Sequence, residues 1–295
     1  MSISWLVTGA RGQVGSDLLR VLSGRADDDV TGWGRAELDL TDERRVRAAV
    51  RGWLAGAGAR GDDAVVVNAA AYTDVDGAES DEATAALVNG AAPGWLAEEL
   101  AGAGRLVHLS TDYVFDGRAT EPYDVGAAPA PRSAYGRTKA AGERAVAAAG
   151  ADATTVRTAW VYGRTGGNFV KTMIRLAAER PTVSVVDDQV GAPTWSADLA
   201  AALVALGSRP DATPPVLHYT NSGVASWYDV ARAVFEEIGA DPARVLPTTS
   251  AQMARPAPRP AYSVLDLTAW TAAGLPAPRP WRTALHEAMR VNFGY

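Results

Sequence analysis

The chain has 295 residues, 47% hydrophobic and 21% charged, which suffices for a substantial core in one large domain or two modest ones. A net charge of -6 argues against a nucleic-acid binder, and the absence of cysteine excludes disulfides, thiolate catalysis and the commonest structural zinc ligand. His108, His218 and His286 are far apart and suit packing or capping; with no basic leader and no apolar run near the roughly 18 residues of a membrane span, a cytoplasmic protein without a metal site is expected.

Residues 2–8 form a short apolar strand that runs into Gly9-Ala-Arg-Gly-Gln-Val-Gly15 and then into a helical pattern at Leu18, Leu19, Val21 and Leu22. A strand, a glycine turn and a helix in that order can hold a phosphate, because glycine lets the backbone approach and the helix N-terminus offers free N–H groups. Gly9, Gly12 and Gly15 are the turn glycines, with Arg11, Gln13 and Val14 between them. The alternative reading is a tight turn only.

The second strand ends in Val30-Thr-Gly-Trp-Gly-Arg35, without the acidic residue that NAD-selective sites use against the ribose hydroxyls. Arg35 is instead suited to a ribose 2′-phosphate, with help from Arg11, which favours NADPH and admits NADH; an exposed surface arginine is the other reading. Asp39 and Leu40 follow where they would flank an adenine. Residues 55–61, Ala-Gly-Ala-Gly-Ala-Arg-Gly, read as a helix end and loop.

A third strand at 63–67 leads to Asn68-Ala69-Ala70-Ala71, whose small side chains would admit a flat cofactor over the sheet edge or a closely packed helix. Asp74-Val-Asp76-Gly-Ala-Glu79 lacks the later ligands of a calcium loop and reads as a solvated acidic turn. The fourth strand, near 106–109, runs into Ser110-Thr111-Asp112-Tyr113. Open α/β sheets bind ligands at such carboxyl ends, and Thr111 is the hydroxyl best placed to hold a carbonyl and the Tyr135 oxygen.

Ser133-Ala-Tyr-Gly-Arg-Thr-Lys139 contains one of the two lysines of the chain, four residues after Tyr135. On a helix the two share a face. Bringing a tyrosine pKa from about 10 to about 7 requires roughly 4 kcal/mol. An ammonium about 5 Å away supplies roughly 3 kcal/mol at an effective dielectric of about 20. The expectation is therefore a proton-donating tyrosine tuned by its lysine, against a surface tyrosine beside a solvated lysine.

With a further strand at 153–156, the alternation predicts an α/β fold: a Rossmann-type doubly wound parallel sheet over residues 1–160, with segments near 195–220 returning to it. Beyond 160, Pro181, Pro193, Pro214, Pro215, Pro242, Pro247 and the run Arg255-Pro-Ala-Pro-Arg-Pro260 break the chain. Residues 161–295 predict a smaller, irregular, discontinuous substrate-binding lobe with helices at 226–239 and 281–291. No GxSxG elbow is present, which disfavours a serine hydrolase.

Taken together, the Gly9 to Gly15 turn, Asn68-Ala-Ala-Ala-Tyr-Thr-Asp-Val-Asp-Gly-Ala-Glu79, Ser110-Thr-Asp-Tyr-Val-Phe-Asp-Gly117, Tyr135-Gly-Arg-Thr-Lys139-Ala-Ala-Gly-Glu143 and Arg157-Thr-Ala-Trp160-Val-Tyr-Gly163 resemble the dTDP-4-dehydrorhamnose reductases of the extended short-chain dehydrogenase/reductase superfamily. Gly167-Asn-Phe-Val-Lys-Thr-Met173, Asp187-Asp-Gln-Val-Gly-Ala-Pro-Thr194 and Arg259-Pro-x-x-Ser263 extend the resemblance over the second half. It implies NAD(P)H-dependent reduction of the C4 ketone of a nucleotide-linked 6-deoxy-4-ketohexose. Tyr135 would be the proton donor, Lys139 would tune it and hold the nicotinamide ribose, and Thr111 would orient the carbonyl.

Gly12, Gln13, Val14, Asp39, Leu40, Ala69, Ala70 and Ala71 match the family's cofactor contacts, and Asp112 and Trp160 match its sugar contacts. Arg259 is suited to the substrate diphosphate. Some members dimerise through magnesium held by glutamates; Asp17 and Ser196-Ala-Asp198 stand there in this chain, so magnesium is not carried over. Two rival readings are a 4-ketoreductase for another deoxysugar in antibiotic assembly, and a non-catalytic subunit similar to the regulatory subunit of methionine adenosyltransferase. Tyr135, Lys139 and Thr111 argue against the latter. The expected partner is a nucleotide sugar, with no nucleic acid and no membrane, and the oligomeric state is left open.

Overall fold

The computed structural model describes residues 2–295. Strands β1 (Ile3–Thr8), β2 (Asp29–Trp33), β3 (Asp63–Asn68), β4 (Arg105–Thr111) and β5 (Asp152–Thr158) alternate with helices α1 (Gln13–Leu22), α2 (Glu43–Arg60), α3 (Glu82–Ala85), α4 (Ala92–Leu100) and α5 (Ala134–Ala148). Shorter elements follow: β6 (Val161–Tyr162), α6 (Phe169–Glu179), β7 (Val183–Val186), β8 (Val190–Gly191), β9 (Thr194–Trp195), α7 (Ser196–Gly207), β10 (Val216–His218), β11 (Ala225–Ser226), α8 (Trp227–Glu237), β12 (Val245–Thr248), α9 (Thr268–Ala272) and α10 (Trp281–Ala288).

Six strands form one parallel sheet in the order β2-β1-β3-β4-β5-β10. From β1 the chain moves outward to β2, then crosses back to β3, so the loops after β1 and β3 diverge and open a crevice at the carboxyl edge. Every residue of β1 and β4 is buried, as expected for parallel strands covered on both faces. On one face Trp5, Leu18, Leu199 and Leu203 knit the sheet to α1 and α7. On the other, Leu6, Trp53, Val66, Leu100 and Leu106 join it to α2 and α4.

The glycine-rich stretch 55–61 differs from its sequence reading. It is helical to Arg60 and ends at Gly61, whose φ of 74° lets its amide and the next bond back to the last turn. Ala57 is buried on the sheet side, so packing overrides the low helix propensity of Gly56 and Gly58.

The second half builds its own core from Met173, Val183, Val185, Phe235, Val245 and Leu285, with β7 and β12 as a parallel pair. Helix α8 starts in a capping box between Ser226 and Asp229. Helix α10 gives way to a π turn, Met289–Phe293. Among the described residues no helix is long and apolar enough to cross a membrane.

Buried charges fasten α5 to the sheet. The Arg157 guanidinium donates to both oxygens of Glu143, at 2.9 and 2.7 Å, and Ser110 Oγ donates to Glu143 Oε1 at 2.5 Å; Glu143 and Arg157 are 8% and 3% exposed. Removing one partner leaves the other charge buried and alone. Glu143→Ala is therefore expected to lower unfolding stability by about 3–5 kcal/mol in urea titrations, with a smaller loss when Arg157→Met is added.

Candidate active site

The crevice at the carboxyl edge opens into a cleft of about 1160 Å3 running from the glycine turn, past Thr111 and Tyr135, to Trp160, Trp227 and Arg259. Three buried polar atoms without hydrogen-bond partners belong to residues lining it: Asp112 Oδ2, Thr158 Oγ1 and Arg259 Nη1. Orphaned polar atoms are costly inside a protein, and three of them on residues of one cleft wall are consistent with a site for a polar ligand.

At the floor, Gly9 has φ of 68°, and a Cβ there would stand 2.6 Å from Ala70 N; a Cβ on Gly15 would stand 2.1 Å from Gly9 O. Only glycine permits this close turn. Gly12 caps α1 without a side-chain hydrogen bond, so the first amides of the helix, from Gln13 and Val14, are left for an anion. Ala69, Ala70 and Ala71 flank the turn from β3, and Leu40 lines the far wall. These features fit a dinucleotide.

Arg35 is exposed on the cleft wall. Arg11 also lines it, but its guanidinium pairs with Glu37, whose other oxygen accepts from Gly34 N at 2.9 Å. An acid thus does stand just past the end of β2, a feature that the strand-end reading missed because the turn at 34–37 folds Glu37 back. Asp39 is engaged by Thr41, whose N and Oγ1 donate to Asp39 Oδ1 at 3.0 and 2.8 Å.

Helix α5 carries Tyr135 and Lys139 on one face into the cleft. Its start is fixed by Ser133, which accepts from Gly136 N at 3.1 Å, and by Glu79, which accepts from Ala134 N at 2.8 Å. Asp74 in turn accepts from Gly77 N at 2.9 Å, and Asp76 pairs with Arg259 at 2.9 Å. The segment read as a solvated acidic turn is therefore a bracket for α5 and for the Arg259 segment. Asp76 and Glu79 have specific partners that lie far away in sequence, while Asp74 closes the local turn at Gly77.

The electrostatics of the Tyr–Lys pair also differ from expectation. Lys139 is 2% exposed and donates to Leu109 O at 2.6 Å; burial lowers it to about 8, opposed by Glu143. Burial raises the Tyr135 phenol to about 12, with the Thr111 hydroxyl offsetting the rise in part and Asp112 adding to it. The cost of burying a phenolate dominates, and the Lys139 ammonium is drawn to a backbone carbonyl instead of to the phenol. The tyrosine is thus a firmly protonated acid at neutral pH. Tyr113 meets the Tyr135 ring edge-on at 5.5 Å.

Thr111 donates to Asp112 Oδ1 at 2.9 Å and accepts from Tyr113 N at 3.2 Å. Burial pushes the Asp112 carboxyl up to about 6, and Ser263 and Thr111 offset this only in part. Across the cleft Trp160 has φ of 49°, a left-handed conformation that strains a bulky residue. Gly191 leaves room beneath its indole, and Trp227 stacks on it at 3.7 Å with 9° between the planes, with Phe169 against Trp227 at 4.5 Å. Strain held by packing points to a functional position.

Trp227, Phe169 and Asn89 were not singled out from the sequence. Asn89 is fully buried in a π-helical turn, Ala86–Ala91, where it accepts from Tyr72 N at 2.8 Å and donates to Thr138 Oγ1 at 3.2 Å. A lone asparagine inside an Ala-rich helical run was the available signal. His108 Nδ1 accepts from Asn68 Nδ2 at 3.0 Å, part of a buried polar string that includes Thr8. Among the described residues no cluster of three or more metal-ligating side chains occurs.

A Rossmann sheet with a glycine turn at its switch point and a Tyr–Lys pair beside a strand-end threonine defines an oxidoreductase of the short-chain dehydrogenase/reductase class. Residues 3–292 match the family model described as RmlD substrate binding domain. The chain is 52% identical over 286 residues to the "Probable dTDP-4,6-dihydroxy-2-methyloxan-3-one 4-ketoreductase" of Streptomyces antibioticus, covering 96% of this chain and 94% of the relative. It is 51% identical to the dTDP-4-dehydrorhamnose reductase of Streptomyces griseus, covering 98% and 94%. The crystal structure of dTDP-4-dehydrorhamnose reductase from Bacillus anthracis in complex with NADP superposes with a TM-score of 0.90 at 33% identity, covering 98% and 99%. The chain belongs to the dTDP-4-dehydrorhamnose reductase family.

An acid whose pKa is higher folded than unfolded binds protons on folding, so its contribution to stability falls as pH rises between the two values. For Asp112 that window runs from 3.8 to about 6, and the loss is about 3 kcal/mol. Urea titrations from pH 4 to pH 7 are expected to show Asp112→Asn losing less stability than the parent protein over this interval. Parallel slopes would remove the buried carboxyl from the account.

Proposed function

We propose that the protein reduces the C4 ketone of a dTDP-linked 4-keto-6-deoxyhexose with NADPH, converting dTDP-4-dehydro-L-rhamnose to dTDP-L-rhamnose, with NADH as a poorer donor. The observation that carries this reading is the convergence of Tyr135, Thr111 and the buried Asp112 carboxyl beside a glycine turn fit for a dinucleotide. The named relatives and the NADP complex of the Bacillus anthracis reductase support it. In this reading residues 1–160, with the segments near 195–220 that return, hold the cofactor, and the remainder of 161–295 forms the substrate lobe. Such a reductase draws on the cytoplasmic nicotinamide pool.

When bound, the reduced nicotinamide supplies a hydride to the carbonyl carbon. Tyr135 delivers the proton to the carbonyl oxygen, and its raised pKa keeps that proton available at neutral pH. Thr111 orients the carbonyl for both transfers. Lys139, fixed on Leu109 O, places a positive charge beside the reacting groups and donates to the nicotinamide ribose. Asp112 and Trp160 hold the sugar, Arg259 meets the diphosphate, and Arg35 with Arg11 meets the 2′-phosphate, Arg11 after exchange from Glu37.

Tyr135→Phe is expected to reduce kcat by about 100- to 10,000-fold while NADPH binding, followed by fluorescence, is retained; unchanged turnover would overturn the assignment. Arg35→Ala is expected to weaken NADPH by about tenfold with little change for NADH, and equal losses would remove the 2′-phosphate contact. The decisive assay supplies dTDP-4-keto-6-deoxyglucose with and without a 3,5-epimerase, follows NADPH oxidation and identifies the sugar. Rhamnose formed only with the epimerase supports the reading; reduction without the epimerase assigns the enzyme to another deoxysugar.

A further inference from the structure

We propose that Asp76 is a positioning residue for the substrate diphosphate, holding the segment 255–259 so that Arg259 stays at the cleft wall with hydrogen-bonding capacity to spare while Arg255 offsets the carboxylate. The inference deepens the nucleotide-sugar reading and rests on it. Asp76 grips the segment at two points and approaches it at a third: Oδ1 accepts from Ala257 N at 3.1 Å, Oδ2 pairs with Arg259 Nη2 at 2.9 Å, and Arg255 Nη1 lies 3.7 Å away. The segment forms no helix or strand, and Pro256, Pro258 and Pro260 remove N–H donors that would otherwise tie it down. A single carboxylate therefore does what a backbone ladder does elsewhere.

What it holds is unfinished on one side. Arg259 Nη1 is buried without a partner, and Arg259 lines the cleft with Tyr72, Thr73 and Tyr113. An arginine with Nη2 fixed by a carboxylate and Nη1 unpartnered has a donor left over for an anion. Two arginines against one carboxylate leave the cluster a net charge of +1. The 60% exposed Arg255 side chain thus keeps Asp76 from cancelling the charge that an incoming diphosphate meets.

Charge alone and positioning predict opposite signs for removal of Asp76. Losing a negative charge beside an anion site would tighten anion binding; losing the grip on Arg259 weakens it. Titration calorimetry with dTDP, and with thymidine as the phosphate-free control, separates the two. Asp76→Ala is expected to weaken dTDP about tenfold with thymidine unchanged, and to raise KM for the nucleotide sugar by the same factor while kcat and the NADPH KM stay within about twofold. Asp76→Asn, which keeps an acceptor for Ala257 N and stands in if the alanine variant does not fold, is expected to weaken dTDP less, and Arg255→Ala to weaken it in proportion to its lost charge. Tighter or equal binding of dTDP by either Asp76 variant overturns the proposal while leaving the nucleotide-sugar reading intact. A parent protein that binds no dTDP overturns both.

Discussion

The docking of α5 against the ends of β4 and β5 is the constraint on which the site depends. Lys139 reaches Leu109 O, Glu143 binds Ser110 and Arg157, and Arg157 extends to Val125 O at 3.2 Å and His218 Nε2 at 3.3 Å. The helix that carries Tyr135 is thereby locked in register with the strand that carries Thr111. An apolar interface of the same area would hold the helix as well, since buried ion pairs seldom exceed hydrophobic packing in net stability. What directional bonds add is a fixed position along the strand, and a proton donor misplaced by 1 Å loses much of its effect.

The same burial sets the chemistry. It keeps Tyr135 protonated and Lys139 near the upper end of the physiological range, and it raises Asp112 toward neutrality. Burial lowers His218 to about 4, so it stays neutral and its Nε2 accepts from Arg157 Nη1 while Nε and Nη2 of that guanidinium hold Glu143. In the proposed reaction the phenol would act as an acid held in reserve, with the lysine stationed nearby. Lowering its pKa in advance would release the proton before a ketone arrived to take it.

The sheet was legible because parallel strands buried on both faces read as short continuous apolar runs, and the glycine turn because its spacing follows from steric limits at Gly9 and Gly15. Tyr135 and Lys139 were legible because helical spacing is local. Glu37, Asp76, Glu79 and Glu143 act through partners 26, 183, 55 and 14 residues away, and no periodicity reveals such pairs. Trp227 was hidden for a related reason: it opens a helix of the second lobe, where an aromatic residue reads as core. Its partner Trp160 lies 67 residues away in sequence, and the contact exists only in the folded chain. The helical 55–60 stretch was misread because propensity is a local rule and Ala57 is held by the sheet.

Contacts between residues 1–160 and 161–295 include the Trp160–Trp227 stack, Asn168 Nδ2 to Gln13 Oε1 at 3.1 Å, and Ser16 Oγ to Thr165 Oγ1 at 2.9 Å. Gln13 and Ser16 belong to the first turn of α1, so the segment before α6 bears directly on the anion-binding end of that helix. A chain of net charge -6 must here admit two polyanions into one cleft. Beyond about 8 Å exposed charges are largely screened at physiological ionic strength, so the overall charge matters less than the few cations at the cleft wall. Arg11, Arg35, Lys139 and Arg259 line it, and carboxylates that pair with Arg11 and Arg259 hold these side chains in place before a ligand arrives. Acidic partners at a site for anions are therefore consistent with its function: they give up some attraction and in return remove the entropy cost of ordering long side chains on binding.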